Sequence, residues 1–163
     1  MSEFDAFAPA FRDLATSVVL TIDRLVAESG LPIHAKVMTI DRSHDRQWGL
    51  YRKGRIAITR QGDIEWVIVD KKKIVTNATP AKSPHCIRNK DGTPASCAVD
   101  VALLDEDGRY LPDEHPAWAF IPAACAIVDA EQLAAGGMWK GLRDWVHVEL
   151  AGWRELTEGG VLI

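Results

Sequence analysis

Two histidines and three carboxylates in the second half of the chain are of types, and at spacings, that could hold a metal ion and use it. His147 lies in Asp144-Trp145-Val146-His147-Val148-Glu149. Read as a strand from Trp145 to Leu150, this segment turns Trp145, His147 and Glu149 to one face, with Asp144 at the turn before it. His147 is then placed to take a metal, and Asp144 to reach past the metal to a bound water. His85 stands in Ser83-Pro84-His85 at the end of a loop, and Asp100 follows an apolar pair in Ala98-Val99-Asp100. Two imidazoles and one carboxylate with a fourth position open are the donor set of catalytic zinc, and the open position holds a water acidified toward neutrality. Spacing alone does not single this set out. A histidine and an aspartate 15 residues apart occur in many chains by chance.

The remaining chemistry-bearing residues have plainer readings beside the sharp ones. Arg42 could serve a site or simply pair with Asp41 or Asp45. His34 alternates with apolar neighbours and is expected on the solvent face of a strand, while His44 and His115 are expected as exposed polar residues. Pro112 and Pro116 bracket Asp113-Glu114-His115, which marks a loop rather than a metal cluster. Trp139 and Trp145 are read equally as cleft lining or as core anchors. Cys125, in an apolar run, reads as a small buried hydrophobe. Cys86 and Cys97 are expected as thiols in a reducing compartment, with a disulfide between them as the alternative.

Elements that would position these groups can be traced along the chain. Phe4, Phe7, Phe11, Leu14, Val18, Ile22 and Val26 recur at helical period, predicting a helix over about residues 4–29 that stops at Gly30. A strand is predicted over Ile33 to Ile40 and a short helix over His44 to Lys53. Ile56 to Thr59 and Ile64 to Val69 flank Gln61-Gly62-Asp63 as the arms of a hairpin. Lys71-Lys72-Lys73 reads as a solvated turn. Further on, a strand is predicted over Cys97 to Leu104, a helix over Asp129 to Ala135 capped by Asp129, and the last strand over Trp145 to Leu150. Helices and short strands without a regular βαβ rhythm predict an α+β domain.

Composition excludes several classes. The 163 residues are 47% hydrophobic and carry 19 basic against 23 acidic side chains, a net charge of −4, which argues against nucleic acid held on a broad cationic face. The longest charge-free stretch, Ala117 to Val128, is too short to span a bilayer. MSEFDAF lacks the basic start of a signal peptide, and three cysteines make no disulfide framework. The expectation is a compact single domain over residues 1–163, made in the cytoplasm, with no nucleic acid partner and no membrane insertion.

Residues 42–150 resemble the zinc peptidase family of D-alanyl-D-alanine carboxypeptidases, D-Ala-D-Ala dipeptidases and phage L-alanyl-D-glutamate endopeptidases. Arg42-Ser43-His44-Asp45-Arg46-Gln47 resembles its R-T-x-x-x-Q, followed by Leu50-Tyr51 and Gly54-Arg55 as in L-Y-x-x-G-R. Val75-Thr76-Asn77-Ala78 resembles V-T-N-A, Ser83-Pro84-His85 resembles S-x-H, and Ala98-Val99-Asp100 resembles A-x-D. Gly136-Gly137-Met138-Trp139 resembles G-G-x-W, and Asp144 to Glu149 resembles D-x-x-H-x-E. The aspartate follows the histidine by 15 residues here rather than the family's usual seven. The added stretch, which includes Lys90 to Ser96, resembles an insertion of phage-type members and must loop out as a hairpin if the two ligands are to converge. Ser96 stands where shorter members have glycine, and Ile56 to Lys73 is longer than the matching connection in compact members.

The resemblance implies an α+β fold in which a small antiparallel sheet carries the zinc site and helices pack around it, as in D-Ala-D-Ala peptidases and hedgehog-type relatives. It implies one Zn(2+) on His85, Asp100 and His147, with Asp144 as catalytic base and Arg42 as the cation that polarises the scissile carbonyl. Gln47 and Ser83 would line the substrate cleft, and Glu149 would orient an imidazole. The implied protein is a monomeric endopeptidase of the peptidoglycan stem peptide, cutting L-alanyl-D-glutamate. It would be a phage-type endolysin, made in the host cytoplasm and acting on the wall from the periplasm after release. Two alternatives remain open at this point: a D-Ala-D-Ala carboxypeptidase or dipeptidase, and a non-catalytic zinc-containing wall-binding domain.

Overall fold

The computed structural model describes residues 3–140 and 143–163. After a 3-10 turn (Glu3–Ala6) the chain enters α1 (Pro9–Ser29), β1 (Ile33–Thr39), α2 (His44–Arg52) and the hairpin β2 (Arg55–Arg60) and β3 (Asp63–Ile68). Then follow β4 (Ala98–Asp105), α3 (Phe120–Asp129), β5 (Leu133–Ala135), β6 (His147–Leu150) and a terminal pair, β7 (Thr157–Glu158) and β8 (Val161–Leu162). The main sheet has the order β1-β4-β6-β5, with every pairing antiparallel. The fold is therefore α+β with an antiparallel sheet, as expected.

One face of this sheet is apolar and is covered by helices. Val99, Val101 and Leu103 of β4 and Val148 of β6 join Phe11, Ala15, Val18 and Ile22 of α1 and Ile121 and Ala124 of α3 in the core. The register then fixes the other face. Val99 pairs with Val148, so Asp100 pairs with His147 and Ala98 with Glu149, all on the side away from the helices. A slip of one residue would send a ligand candidate into the core. Asp100 is also opposite Thr39 of β1, beside a bulge between Val37 and Thr39.

Four expectations need correction. The first helix begins at Pro9 rather than near residue 4, because Pro9 holds the preceding Ala8 in extended backbone (φ −56°, ψ 141°) and itself fits the first helical turn. The helix expected over Asp129 to Ala135 lies earlier, over Phe120–Asp129, where Pro122 is tolerated as the third residue. Asp129 does accept N–H bonds from Glu131 and Gln132, but the segment it caps is a turn, and Leu133–Ala135 pairs with β6 as a strand. The last strand starts at His147; Trp145 and Val146 form the turn before it, so Trp145 is not on the strand face with His147 and Glu149. His115 is half-buried and caps the 3-10 turn Pro116–Ala119, with Nδ1 accepting from the Ala117 N–H at 3.2 Å.

Other features follow the sequence. Ser43 caps α2, its hydroxyl accepting from the Arg46 N–H. The insertion loops out as a hairpin, with Asn89 N–H bonded to Thr93 O and Ala95 N–H to Ile87 O, both at 2.9 Å. His34 and His44 are exposed, and the three cysteines are buried and free. Among the described residues no helix is long and apolar enough to cross a membrane.

Because α1 supplies much of the cover over the core face, Phe11→Ala is expected to cost about 3–5 kcal/mol and to lower Tm by on the order of 10 °C in calorimetry. An unchanged Tm would mean that Phe11, fully buried here, is not part of the cooperative core.

Candidate metal centre

Three elements converge on the open face of the sheet. Asp100 and His147 are neighbours across β4 and β6, and His85 enters from a 3-10 turn, Pro84–Cys86. Asp100 Oδ1 lies 3.0 Å from His85 Nε2 and 3.0 Å from His147 Nδ1, and the two nitrogens are 3.2 Å apart. All three residues are buried. The far sides of both rings are engaged. His85 Nδ1 is 2.9 Å from the Ile40 carbonyl oxygen, which can only accept, so Nδ1 carries the proton. His147 Nε2 donates to Glu149 Oε2 at 3.3 Å. In the neutral rings, Nε2 of His85 and Nδ1 of His147 are thus lone pairs, both pointed at a carboxylate oxygen.

Three acceptors facing one another at this distance need a cation between them. A tetrahedral zinc with bonds of about 2.0–2.1 Å sets its ligand atoms about 3.3 Å apart, so the 3.0, 3.0 and 3.2 Å triangle has the size of one face of such a tetrahedron. The buried group His85, Asp100 and His147 can hold a metal ion, and its donor set suits zinc. With a proton in place of a metal, burial works against the charged His147 ring, but bonds to Asp100 and Glu149 outweigh it and carry its pKa up to about 9. Burial likewise opposes charge on Asp100, and the two imidazoles reverse that, holding its carboxyl well below the usual range.

The supports around the triad are specific. Glu149 also accepts from Trp153 Nε1 at 3.2 Å. The Ile40 carbonyl, besides accepting from His85 Nδ1–H, accepts from the Ser96 hydroxyl at 2.8 Å, and the hydroxyl oxygen accepts in turn from the Ala98 N–H at 3.2 Å. Serine at position 96 therefore locks the loop that orients His85. Arg42 spans the gap between Gln47 Oε1 (2.8 Å from Nη1) and Asp100 Oδ2 (3.1 Å from Nη2). It is not a surface ion pair with Asp41 or Asp45; Asp41 pairs with Arg88. Gln47 is fully buried, donates to Ala78 O at 2.7 Å and meets the site through Arg42 rather than from the cleft wall.

A cleft of about 500 Å³ opens over the triad. Ser83, Thr76, Asn77 and Trp139 form its walls, and Asp144 lies beside the triad. The Trp139 and His147 rings are 5.2 Å apart, so Trp139 belongs to the cleft, whereas Trp145 lies against Gly137 beside a second pocket. Burial pushes the Asp144 carboxyl up, Asp100 adds to this, and His147, His85 and Arg42 oppose it. The glycine pair makes room for this corner: a Cβ on Gly136 would sit 2.5 Å from Asp144 O, and one on Gly137 2.7 Å from the Trp145 ring. Burial holds the Cys86 thiol above its normal range and Cys97 up at about 12. Neither offers a thiolate near neutrality.

Sequence reasoning brought together His85, Asp100, His147, Asp144, Arg42 and Ser83 on one cleft. It missed the Ile40 carbonyl, which no side-chain pattern signals, and Trp153, whose spacing of four from Glu149 was the available clue. It also missed the cationic rim of Lys82, Lys140 and Arg154.

No family model matches the chain, and neither does any curated protein. Among solved structures, an L-Ala D-Glu endopeptidase of Serratia marcescens superposes over 93% of this chain and 85% of its own, with a TM-score of 0.50 and 19% identity. The shared feature is the fold.

The raised His147 pKa makes a directional prediction for protein stripped with chelator. Its folded-state proton stabilises fully below about pH 6.5 and is lost as pH rises through about 9. Thermal midpoints in chelator should fall across that window, and saturating zinc should flatten the slope. Equal slopes with and without zinc would show that metal and proton do not compete for these lone pairs.

Proposed function

We propose that the chain is a single-domain, zinc-dependent peptidoglycan endopeptidase that hydrolyses the L-alanyl-D-glutamate bond of the stem peptide. The observation that carries this reading is the convergence of two imidazole lone pairs and Asp100 on a cleft that also holds Asp144. Support for the substrate comes from the fold shared with the Serratia enzyme and from charge. The chain is acidic overall, yet Arg42, Lys82, Lys140 and Arg154 line this cleft, complementary to a peptide rich in free carboxylates.

In this proposal His85, Asp100 and His147 hold one zinc ion. When bound, zinc supplies Lewis acidity toward water and toward a carbonyl oxygen. Asp144 takes a proton from the attacking water as its oxygen bonds to the amide carbon, and passes that proton to the nitrogen as the C–N bond breaks. Burial raises its pKa, which makes it a stronger base toward the water proton than an exposed carboxylate. Arg42 adds positive charge for the carbonyl oxygen and, through Asp100 Oδ2, keeps Oδ1 turned to the imidazoles. Glu149 fixes the tautomer of His147. Ser83 and the wall at Thr76 and Asn77 hold the peptide, and Gln47 positions Arg42. The monomeric protein would serve as a phage-type endolysin, made in the host cytoplasm and released to the wall.

Asp144→Asn tests the assignment. It should keep stoichiometric zinc yet cleave purified peptidoglycan about 10²–10⁴-fold more slowly, while the parent protein yields chelator-sensitive fragments with new N-terminal D-glutamate by mass analysis. Cleavage at the parent rate by Asp144→Asn would remove it as the base. Fragments shortened by one D-alanine would move the protein to carboxypeptidase chemistry, and inactivity of the zinc-loaded parent would make it a binding domain.

A further inference from the structure

The β2–β3 hairpin stands outside the core that holds the rest of the fold together: none of residues 55–68 belongs to the buried cluster or packs against it. It is anchored at its base, where Val69 and Asp70 N–H groups bond to Gly54 O, and through Arg55, which donates to Thr76 O and Asn77 Oδ1. One face is partly covered, since Trp66 lies against Trp48 and Tyr51 of α2. The other face is not. Ile56 pairs with Val67 across the strands, Ile58 is next on the same side, and Val69 continues the row just past β3. Ile56, Val67 and Val69 are 50%, 39% and 58% exposed.

Charge singles out the same segment. Residues 52–73 carry seven basic and three acidic side chains, a net charge of +4 within a chain whose total is −4. Lys71, Lys72 and Lys73 follow Val69 after the single residue Asp70, and all three are exposed. Arg52 and Arg55 are occupied by stacking on the α2 aromatics and by the cleft wall, and Lys73 by Asp70. Lys53, Lys71 and Lys72 remain free to meet an anionic surface.

We propose that this hairpin docks the protein on an anionic phospholipid surface, lying in the interface without crossing it. Branched aliphatic side chains with Lys53, Lys71 and Lys72 at the hairpin base suit the boundary between headgroups and acyl chains, and Glu65, opposite Ile58 on this face, is paired with Arg60. A wall polysaccharide would call for planar aromatic faces and convergent hydrogen-bond groups, which this row lacks. Because Arg55 ties the hairpin to Thr76 and Asn77, docking would hold the cleft wall at a fixed distance from the lipid. The inference does not depend on the reaction proposed for the cleft.

The test is flotation of the full-length, zinc-loaded protein with vesicles of phosphatidylglycerol and phosphatidylethanolamine, against vesicles of phosphatidylcholine. Binding is expected on the anionic vesicles only and should weaken as salt rises. Lys71→Gln with Lys72→Gln should weaken it by at least about fivefold, since each basic residue near such a surface is worth roughly that factor. Ile56→Ser with Val67→Ser should weaken it about tenfold; Val69→Ser, outside the strand pairing, repeats the apolar test where the hairpin cannot misfold. Absence of flotation on anionic vesicles would overturn the proposal, as would flotation indifferent to both sets of variants. It would also fall if the apolar variants instead dissociated a dimer or abolished binding to purified peptidoglycan, because a second copy or the wall would then be the occupant.

Discussion

An acidic oxygen with two imidazole lone pairs turned toward it is the constraint on which the rest of this structure depends. Asp100 Oδ1 and the facing nitrogens of His85 and His147 lie within 3.2 Å of one another, in a place where water has little access. Such a cluster repels itself unless a proton or metal ion sits within it. The residues behind it make the demand stronger. Ile40 O and Glu149 accept from the outer ring N–H groups, so neither ring can turn its own N–H inward without leaving a buried acceptor unpaired. Metal binding and the stability of this face of the sheet are therefore one problem.

The surrounding architecture can be understood as holding that cluster still. Sheet register does the coarse placement, putting Asp100 opposite His147 while Val99 and Val148 fill the helix-covered side. Finer placement comes from interlocked segments distant in sequence. Gln47 of α2 reaches both Arg42 and the Ala78 carbonyl, and Arg55 reaches Thr76 and Asn77, so the loop before α2, the base of the hairpin and the cleft wall are tied together. Gly136 and Gly137 let the wall approach Asp144 and Trp145 more closely than any side chain would allow.

Much of this was legible in the residues. The segments around Asp100 and His147 read as strands, with His147 and Glu149 on one face, though Trp145 falls outside the strand. Gln61-Gly62 marks the hairpin turn, and the insertion between His85 and Asp100 loops out as the convergence of the two ligands requires. What failed did so where local signals compete with tertiary ones. Asp129 carries a cap signature, and it does accept two N–H groups, but β6 needed a partner and took Leu133–Ala135 as a strand. The apolar period from Phe4 continued through Pro9, which instead starts the helix and holds Ala8 before it out of helical backbone. Gln47 has the polarity of a cleft residue and is wholly buried, because its amide completes a network that only the fold assembles. Backbone acceptors such as Ile40 O leave no trace in sequence.

The most direct test of the account is X-ray absorption at the zinc edge on the zinc-loaded protein. The proposal predicts one zinc per chain with two imidazole nitrogens and a carboxylate oxygen at about 2.0–2.1 Å, the shell lost when His147 is replaced by Ala. A sulfur shell at about 2.3 Å would place the ion on a cysteine such as Cys86, and failure to retain zinc would mean that the converging lone pairs of His85 and His147 are balanced by a proton alone. Either result would contradict the metal centre described here.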